Sequence, residues 1–221
     1  MQTKNVVEHR VQKGVYLVDG QLATLNAAPG KRVHGEQLFK RGGREYREWN
    51  PKQSKLAAAI VKGLKTPAIQ PTSIVLYLGA ANGATASHVS DIARIVYCVE
   101  FSARAARDLL RVCSQRENMV PIVADARKPG EYGDVGEVDV VFEDVADPEQ
   151  ARILKENARF LRKGGLALLA VKAACIDSSK PPKKVFAEVR EELADAFDLI
   201  EEIDLEPFEM GHELLVLKKK F

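Results

Sequence analysis

The chain has 221 residues, of which 46% are hydrophobic and 29% charged, and its net charge is +2. That content suits one packed domain with a modest extension, with no apolar run near the roughly 18 residues of a membrane span and no apolar signal core in MQTKNVVEHR. Cys98, Cys113 and Cys175 are odd in number and widely spaced, and the four histidines are scattered. Neither a disulfide framework nor a metal site is expected, no membrane is involved, and a reducing, cytoplasmic location is. A protein that grips nucleic acid unaided is usually more basic than this.

Residues 1–48 read as a small β-rich subdomain. VYLVDGQLATLN alternates apolar and polar residues around Asp19-Gly20, a hairpin signal. PGKRVHGEQLFKRGGREYREW continues with turns, short strands and many cations. From residue 49 the pattern changes. Asn50 is placed to cap a helix that starts at Pro51 and buries Leu56, Ala59, Ile60 and Leu64. Strands are then expected at Ile74–Leu78, Ile95–Val99, Val120–Val123, Val138–Phe142, Leu166–Val171 and Leu199–Ile203. Helices are expected near 85–92, 103–116, 148–161 and 182–197. Asp147 is the nearby cap for the third of these and Ser179 or Lys180 for the fourth; Gly164-Gly165 reads as a helix stop. Short Val/Ile/Leu strands separated by helices predict a parallel α/β sheet over residues 49–221. LIEEID, LEPFEMG and HELLVLKKK end the chain as two strands joined by a turn, so the last strand is antiparallel.

Ligands of such a sheet bind beyond the carboxyl ends of the strands, where strand order reverses. The residues after the strands are Gly79 to Thr85, Glu100-Phe101, Asp125-Ala126, Asp144-Val145-Ala146-Asp147, and Lys172. Gly79 and Gly83 allow close backbone approach. A carboxylate about 20 residues on, Glu100, is placed to accept both ribose hydroxyls of an adenosine cofactor. The spacing is G-x-x-x-G, without the middle glycine that a dinucleotide pyrophosphate requires. S-adenosylmethionine has the ribose and adenine, no phosphate, and a sulfonium that suits carboxylates; Asp125 is placed to meet its adenine amino group. Asp147, just before Pro148, reads more simply as a helix cap.

REYREWNPKQSKLAAAI, YLGAANGATASHVSDI, VYCVEFSARAARDLL, VDVVFEDVADPEQARIL, VKAACIDSSKPP and LEPFEMGHELLV together resemble the fibrillarin family of archaeal RNA 2′-O-methyltransferases, from about residue 5 to the C-terminus. The resemblance implies a Rossmann-like α/β methyltransferase domain behind a small N-terminal β subdomain. It implies S-adenosyl-L-methionine as cofactor, with contacts at Ala84, Thr85, Glu100, Phe101, Asp125, Ala126 and Asp144 to Asp147. It also implies work inside a box C/D ribonucleoprotein, with a guide RNA, a Nop-domain scaffold protein and a kink-turn-binding protein, on rRNA or tRNA. The chain departs from the family pattern at Ala84, where threonine is common, and at Asp147, where glutamine is.

The resemblance places Lys55, Asp144, Lys172 and His212 in the positions of a ribose-methylating constellation. Lys172 also stands out by physics alone, since it interrupts the apolar run LALLAVKAACI, where desolvating a charge is costly. It is expected to hold the 2′ oxygen. It could act as a base only if burial or Lys55 favoured its neutral form, whereas Asp144 favours the charged amine, so electrostatic stabilisation is the expected role. His212 would orient the set or relay a proton. Lys31, Arg32, Lys40, Arg41, Arg44, Lys180, Lys183 and Lys184 serve equally as an RNA track or as ordinary solvated surface. Two other functions compete: a nicotinamide-dependent oxidoreductase, which leaves Asp125, Asp144 and Lys172 without a role, and a non-catalytic assembly subunit.

Overall fold

The computed structural model describes residues 5–221. Five short antiparallel strands come first: β1 (Val6–Glu8), β2 (Val15–Val18), β3 (Gln21–Leu25), β4 (Leu38–Arg41) and β5 (Arg44–Glu48), in the order β1-β2-β3-β5-β4. Val18 pairs with Gln21 across a two-residue turn in which Asp19 and Gly20 both have positive φ. Both central residues of a type I′ hairpin turn need that conformation, and Asp-Gly adopts it cheaply.

The second sheet has seven strands. β6 (Ile74–Leu78), β7 (Ile95–Val99), β8 (Met119–Ile122), β9 (Val138–Glu143) and β10 (Leu161–Lys172) are parallel, and β11 (Phe197–Asp204) and β12 (His212–Lys219) close one edge. The order is β11-β12-β10-β9-β6-β7-β8, with β12 antiparallel to both of its neighbours. Around it lie α1 (Lys55–Val61), α2 (Ala84–Ser90), α3 (Ala103–Cys113), α4 (Gln150–Asn157), α5 (Ala173–Asp177) and α6 (Pro182–Leu193). Apolar clusters fill both faces of this sheet, as continuous Val/Ile/Leu strands require. The chain runs β6 to β8 in one direction and returns to lay β9 on the other side of β6, so strand order reverses between β6 and β9.

A buried ionic cluster joins the two sheets. Arg47 of β5, fully buried, meets Glu36 at 2.6 Å and Asp91 at 2.9 Å and donates to Ser87 Oγ at 3.0 Å. Arg116 reaches the other oxygen of Asp91 at 2.6 Å. Trp49 stacks on His88 at 5.1 Å, and burial, with Arg47 beside it, holds that imidazole well below the usual histidine range.

Several local expectations are corrected. α1 begins at Lys55, because the Ser54 side chain accepts the Ala57 N–H, whereas Asn50 Oδ1 turns back to the Lys52 N–H and closes a turn. The four helices expected between strands are shorter than their apolar patterns. Gly164 and Gly165 stop no helix: α4 ends at Asn157, and the glycines form an irregular start of β10, where pairing with β9 slips between Leu161 and Leu166. A Cβ on Gly165 would meet the Arg162 carbonyl oxygen at 2.9 Å and Leu161 Cδ1 at 2.7 Å, so glycine is required there. Ser179 and Lys180 do not cap α6; the Ser179 N–H and hydroxyl both turn back to Asp177 Oδ1. α5, directly after Lys172, had no expected counterpart.

Candidate active site

Gly79 follows β6 with φ near +78°, and a Cβ there would meet the Asp144 carbonyl oxygen at 3.0 Å. Only glycine therefore lets the ends of β6 and β9 approach this closely. The turn that follows is pinned from β7. Glu100, buried, accepts the Ala81 N–H at 2.9 Å and the Ser102 N–H at 2.7 Å. The first bond holds Ala81 at φ +48°, in the left-handed region that alanine seldom adopts. Each Glu100 oxygen keeps a further lone pair.

Beside this turn lies a cleft of about 480 Å³, a size typical of small-molecule sites. Gly79, Glu100, Phe101, Asp125, Ala126, Asp144 to Asp147 and Lys172 all line it. Val99, Ala124 and Ile153 add apolar wall. Gly83, Ala84 and Thr85 are not among its lining residues. Gly83, at φ +84°, sits where a Cβ would press on Leu109 of α3, so it serves helix packing. Ala84 and Thr85 open α2.

Arg127 had no expected role. It grips both oxygens of Asp125 at 2.8–3.1 Å, lies 3.6 Å from Asp147, and stands 5.9 Å from the centre of the exposed Phe101 ring. Its hydrogen bonds hold the Asp125 carboxyl below the usual aspartate range. The Asp-Ala-Arg spacing was the available signal, since i,i+2 pairing closes a tight turn. Asp147 also takes the Glu149 N–H at 2.8 Å, one turn ahead of the helix, with Glu149 at the cap position of α4.

At one end of the cleft the cationic groups meet. Lys172 Nζ is 2.9 Å from Asp144 Oδ1 and donates to the Asp144 carbonyl at 2.8 Å. Lys55 Nζ, from the first turn of α1, is 3.3 Å from the same Oδ1 and 4.0 Å from Glu209. His212 is the register partner of Lys172 across β10 and β12. Sequence reasoning also missed Gln150. Fully buried, it donates to the Val145 and Ala170 carbonyls at 2.8 and 3.2 Å and accepts the Lys172 N–H at 3.0 Å. One amide thus fixes the loop after β9 to the end of β10.

Glu143 lies directly beneath. Its carboxyl is wholly buried without a hydrogen-bond partner, and burial, with Asp147 nearby, pushes it well above the usual glutamate range. Four carboxylates, Glu100, Asp125, Asp144 and Asp147, line the cleft against two cations, Arg127 and Lys172. A pyrophosphate would face these acids, and the first residues of α2 are not presented to bind it. An adenosine joined to a sulfonium fits the same groups.

The fibrillarin family model matches residues 6–221. A fibrillarin-like rRNA/tRNA 2′-O-methyltransferase of Pyrococcus furiosus is 51% identical over 216 residues, covering 93% of this chain and 95% of its own. Among solved structures, Aeropyrum pernix fibrillarin in complex with natively bound S-adenosyl-L-methionine superposes with a TM-score of 0.89 at 44% identity, covering 96% of this chain and 97% of that one. The fibrillarin of a fibrillarin/Nop5p complex does so with a TM-score of 0.88 at 38% identity, covering 96% and 100%. With a seven-stranded sheet, a preceding five-stranded one and full-length identity at this level, the chain belongs to the fibrillarin family.

Proposed function

We propose that this protein transfers a methyl group from S-adenosyl-L-methionine to a ribose 2′-hydroxyl of rRNA or tRNA, as the catalytic subunit of a guide-directed complex. The observation that carries the site assignment is the position of Lys172, which lines the same cleft as Glu100 and Asp125 while engaged with Asp144. Cofactor and acceptor chemistry thereby share one edge of the sheet.

Glu100 would hold the ribose, Asp125 the adenine edge, and the apolar wall the adenine face. Asp144 and Asp147 supply negative charge for a sulfonium. When bound, the cofactor supplies a methyl group that is already activated. The chain has two tasks left, to place the 2′ oxygen and to steady the charge that develops on it. Lys172 spends one N–H donor on the Asp144 carbonyl and lies in ion-pair contact with its carboxylate, and a remaining donor serves the 2′ oxygen. Asp144 orients that ammonium, and Lys55 completes the field.

The +2 net charge gives little purchase on RNA alone, so target choice falls to a guide RNA held with a kink-turn-binding protein on a Nop5p-type scaffold. The test is methyl transfer from labelled S-adenosylmethionine to target RNA, with and without box C/D guide and both partner proteins, followed by nucleotide mapping. Site-specific transfer only in the complete mixture is expected. Efficient site-specific transfer by the isolated chain would refute the guide dependence, and no transfer in any mixture would refute the activity.

A further inference from the structure

Three loops meet at one guanidinium. Phe101 lies beyond β7, Asp125 beyond β8 and Asp147 beyond β9, and all three line the cleft together with Arg127. Arg127 Cζ is 5.9 Å from the Phe101 ring centre, and its Nη1 is 3.6 Å from Asp147 Oδ2. Its grip on Asp125 is closer. Nε donates to both carboxylate oxygens at 3.0 and 3.1 Å, Nη2 donates to Oδ2 at 2.8 Å, and the Arg127 backbone N–H donates to Oδ1 at 3.0 Å.

An ionised carboxylate has about four acceptor sites and no donor. Three N–H groups of Arg127 take about three of them, so about one is left for a ligand. The same hydrogen bonds keep the group ionised. The neighbouring carbonyls are already engaged. That of Asp125 accepts the Lys128 N–H at 2.8 Å, and that of Ala126 accepts the Asn157 amide at 2.9 Å with the Tyr132 hydroxyl at 3.2 Å. This end of the cleft therefore offers one fixed acceptor beside an apolar wall.

Purines differ at the atom such an acceptor would meet. Adenine has an exocyclic amino group, which donates. Hypoxanthine has an oxygen there, and its own donor, N1–H, lies one ring position away. A mobile carboxylate would turn to follow that donor. A clamped one is left facing oxygen with oxygen. We infer that Arg127 is a specificity-determining residue: by clamping Asp125 it makes the cleft select a 6-amino purine and reject a 6-oxo one. The inference rests on the methyltransferase reading, in which an S-adenosyl group fills this cleft. Arg127 acts through Asp125 and touches no reacting atom, so it is a positioning residue. Glu100 and the apolar wall would hold the ribose and ring face of either base alike, and they add affinity without making this choice.

Calorimetry with the full chain at neutral pH tests the inference, using S-adenosylhomocysteine and S-inosylhomocysteine, which differ only in the base. The unsubstituted protein should prefer the adenosyl compound by about tenfold to a hundredfold, the cost of leaving one partly buried charged acceptor unpaired. Arg127→Met should weaken adenosyl binding severalfold while inosyl binding holds or improves, because the freed carboxylate can turn to N1–H. The preference then shrinks. A preference that stays unchanged, whether or not both affinities fall, would make Arg127 merely structural and overturn the inference. A loss confined to the inosyl compound would show that the guanidinium itself meets the base, and would overturn it too. Asp125→Asn keeps the size of the side chain and adds an amide donor, which a 6-oxo group accepts. The preference should collapse there with Arg127 in place, and one that survived would mean the base is read elsewhere and overturn the inference. Equal affinities in the unsubstituted protein would overturn it and leave the cofactor reading standing. Binding of neither compound would defeat the cofactor reading and the inference with it.

Discussion

Lys172→Ala removes the ammonium that makes two contacts with Asp144, at 2.9 Å to its side chain and 2.8 Å to its carbonyl. Lys55 stays 3.3 Å from Asp144, so the carboxylate is not left alone and the fold should survive. On the proposed role, what is lost is a preorganised donor beside the acceptor oxygen, and such losses cost about 3 kcal/mol of transition-state stabilisation, or 10²–10³ in turnover. Cofactor affinity should change severalfold at most, because Lys172 faces the acceptor end. Single-turnover transfer to guided RNA, with RNA and partner proteins saturating, separates the two effects, and calorimetry with S-adenosylmethionine supplies the affinity. Lys172→Arg keeps the charge in a wider, planar head. Partial turnover in Arg with near-zero turnover in Ala fits an electrostatic role. Near-normal turnover in Ala would refute the reasoning, and a large loss of cofactor affinity would show that the lysine serves the cofactor instead.

Glu100→Ala strips two backbone N–H groups of their acceptor and the cofactor of a charge-assisted one; calorimetry should show a loss of about 1.5–3 kcal/mol in affinity, and unchanged binding in a folded variant would refute the ribose assignment. Gln150→Ala leaves the Lys172 N–H and the Val145 carbonyl without their partner in a buried setting, so turnover should fall together with about 1–3 kcal/mol of stability; a loss of stability with full turnover would show that the amide does not place Lys172. Glu143 binds its proton more tightly folded than unfolded, so its contribution is full below the ordinary glutamate range and erodes as pH rises toward and through the raised folded value. Urea denaturation of Glu143→Gln should therefore fall less from pH 5 to pH 8 than that of the unsubstituted chain, and parallel curves would refute the shift.

The parallel sheet was legible because its strands are apolar on both faces and its first turn is marked by Gly79 and Gly83, while the groups after each strand follow from the topology alone. Helix limits were less so. Asn50-Pro51 has the composition of a helix start, yet Ser54 wins because its hydroxyl reaches the N–H three residues on while Asn50 closes a local turn. Gly164-Gly165 looks the same in sequence whether it ends a helix or admits a strand irregularity; only the approach of Leu161 and Arg162 decides. Lys172 announced itself by interrupting an apolar run. Arg127 and Gln150 did not, because each acts through partners brought near by folding, and polar residues at helix starts and loop tips are common everywhere.

The placement of charge explains what the near-neutral composition implied. The cations nearest the site already have carboxylates: Lys55 and Lys172 face Asp144, Arg127 faces Asp125 and Asp147, and Lys180 faces Asp177 and Glu188. Lys183 and Lys184, at the start of α6, stay exposed. Each phosphate a protein neutralises strengthens binding through counterion release, so few spare cations mean weak, salt-sensitive contact. Reading bases would also need exposed aromatic platforms or paired side chains, and Phe101, the large exposed aromatic at the cleft, already has Arg127 beside it. On this reading the chain devotes its carboxylates to the cofactor and its lysines to one oxygen. Under the proposed function, a fold arranged in that way methylates the ribose delivered to it, and delivery falls to base pairing and scaffold geometry supplied from outside.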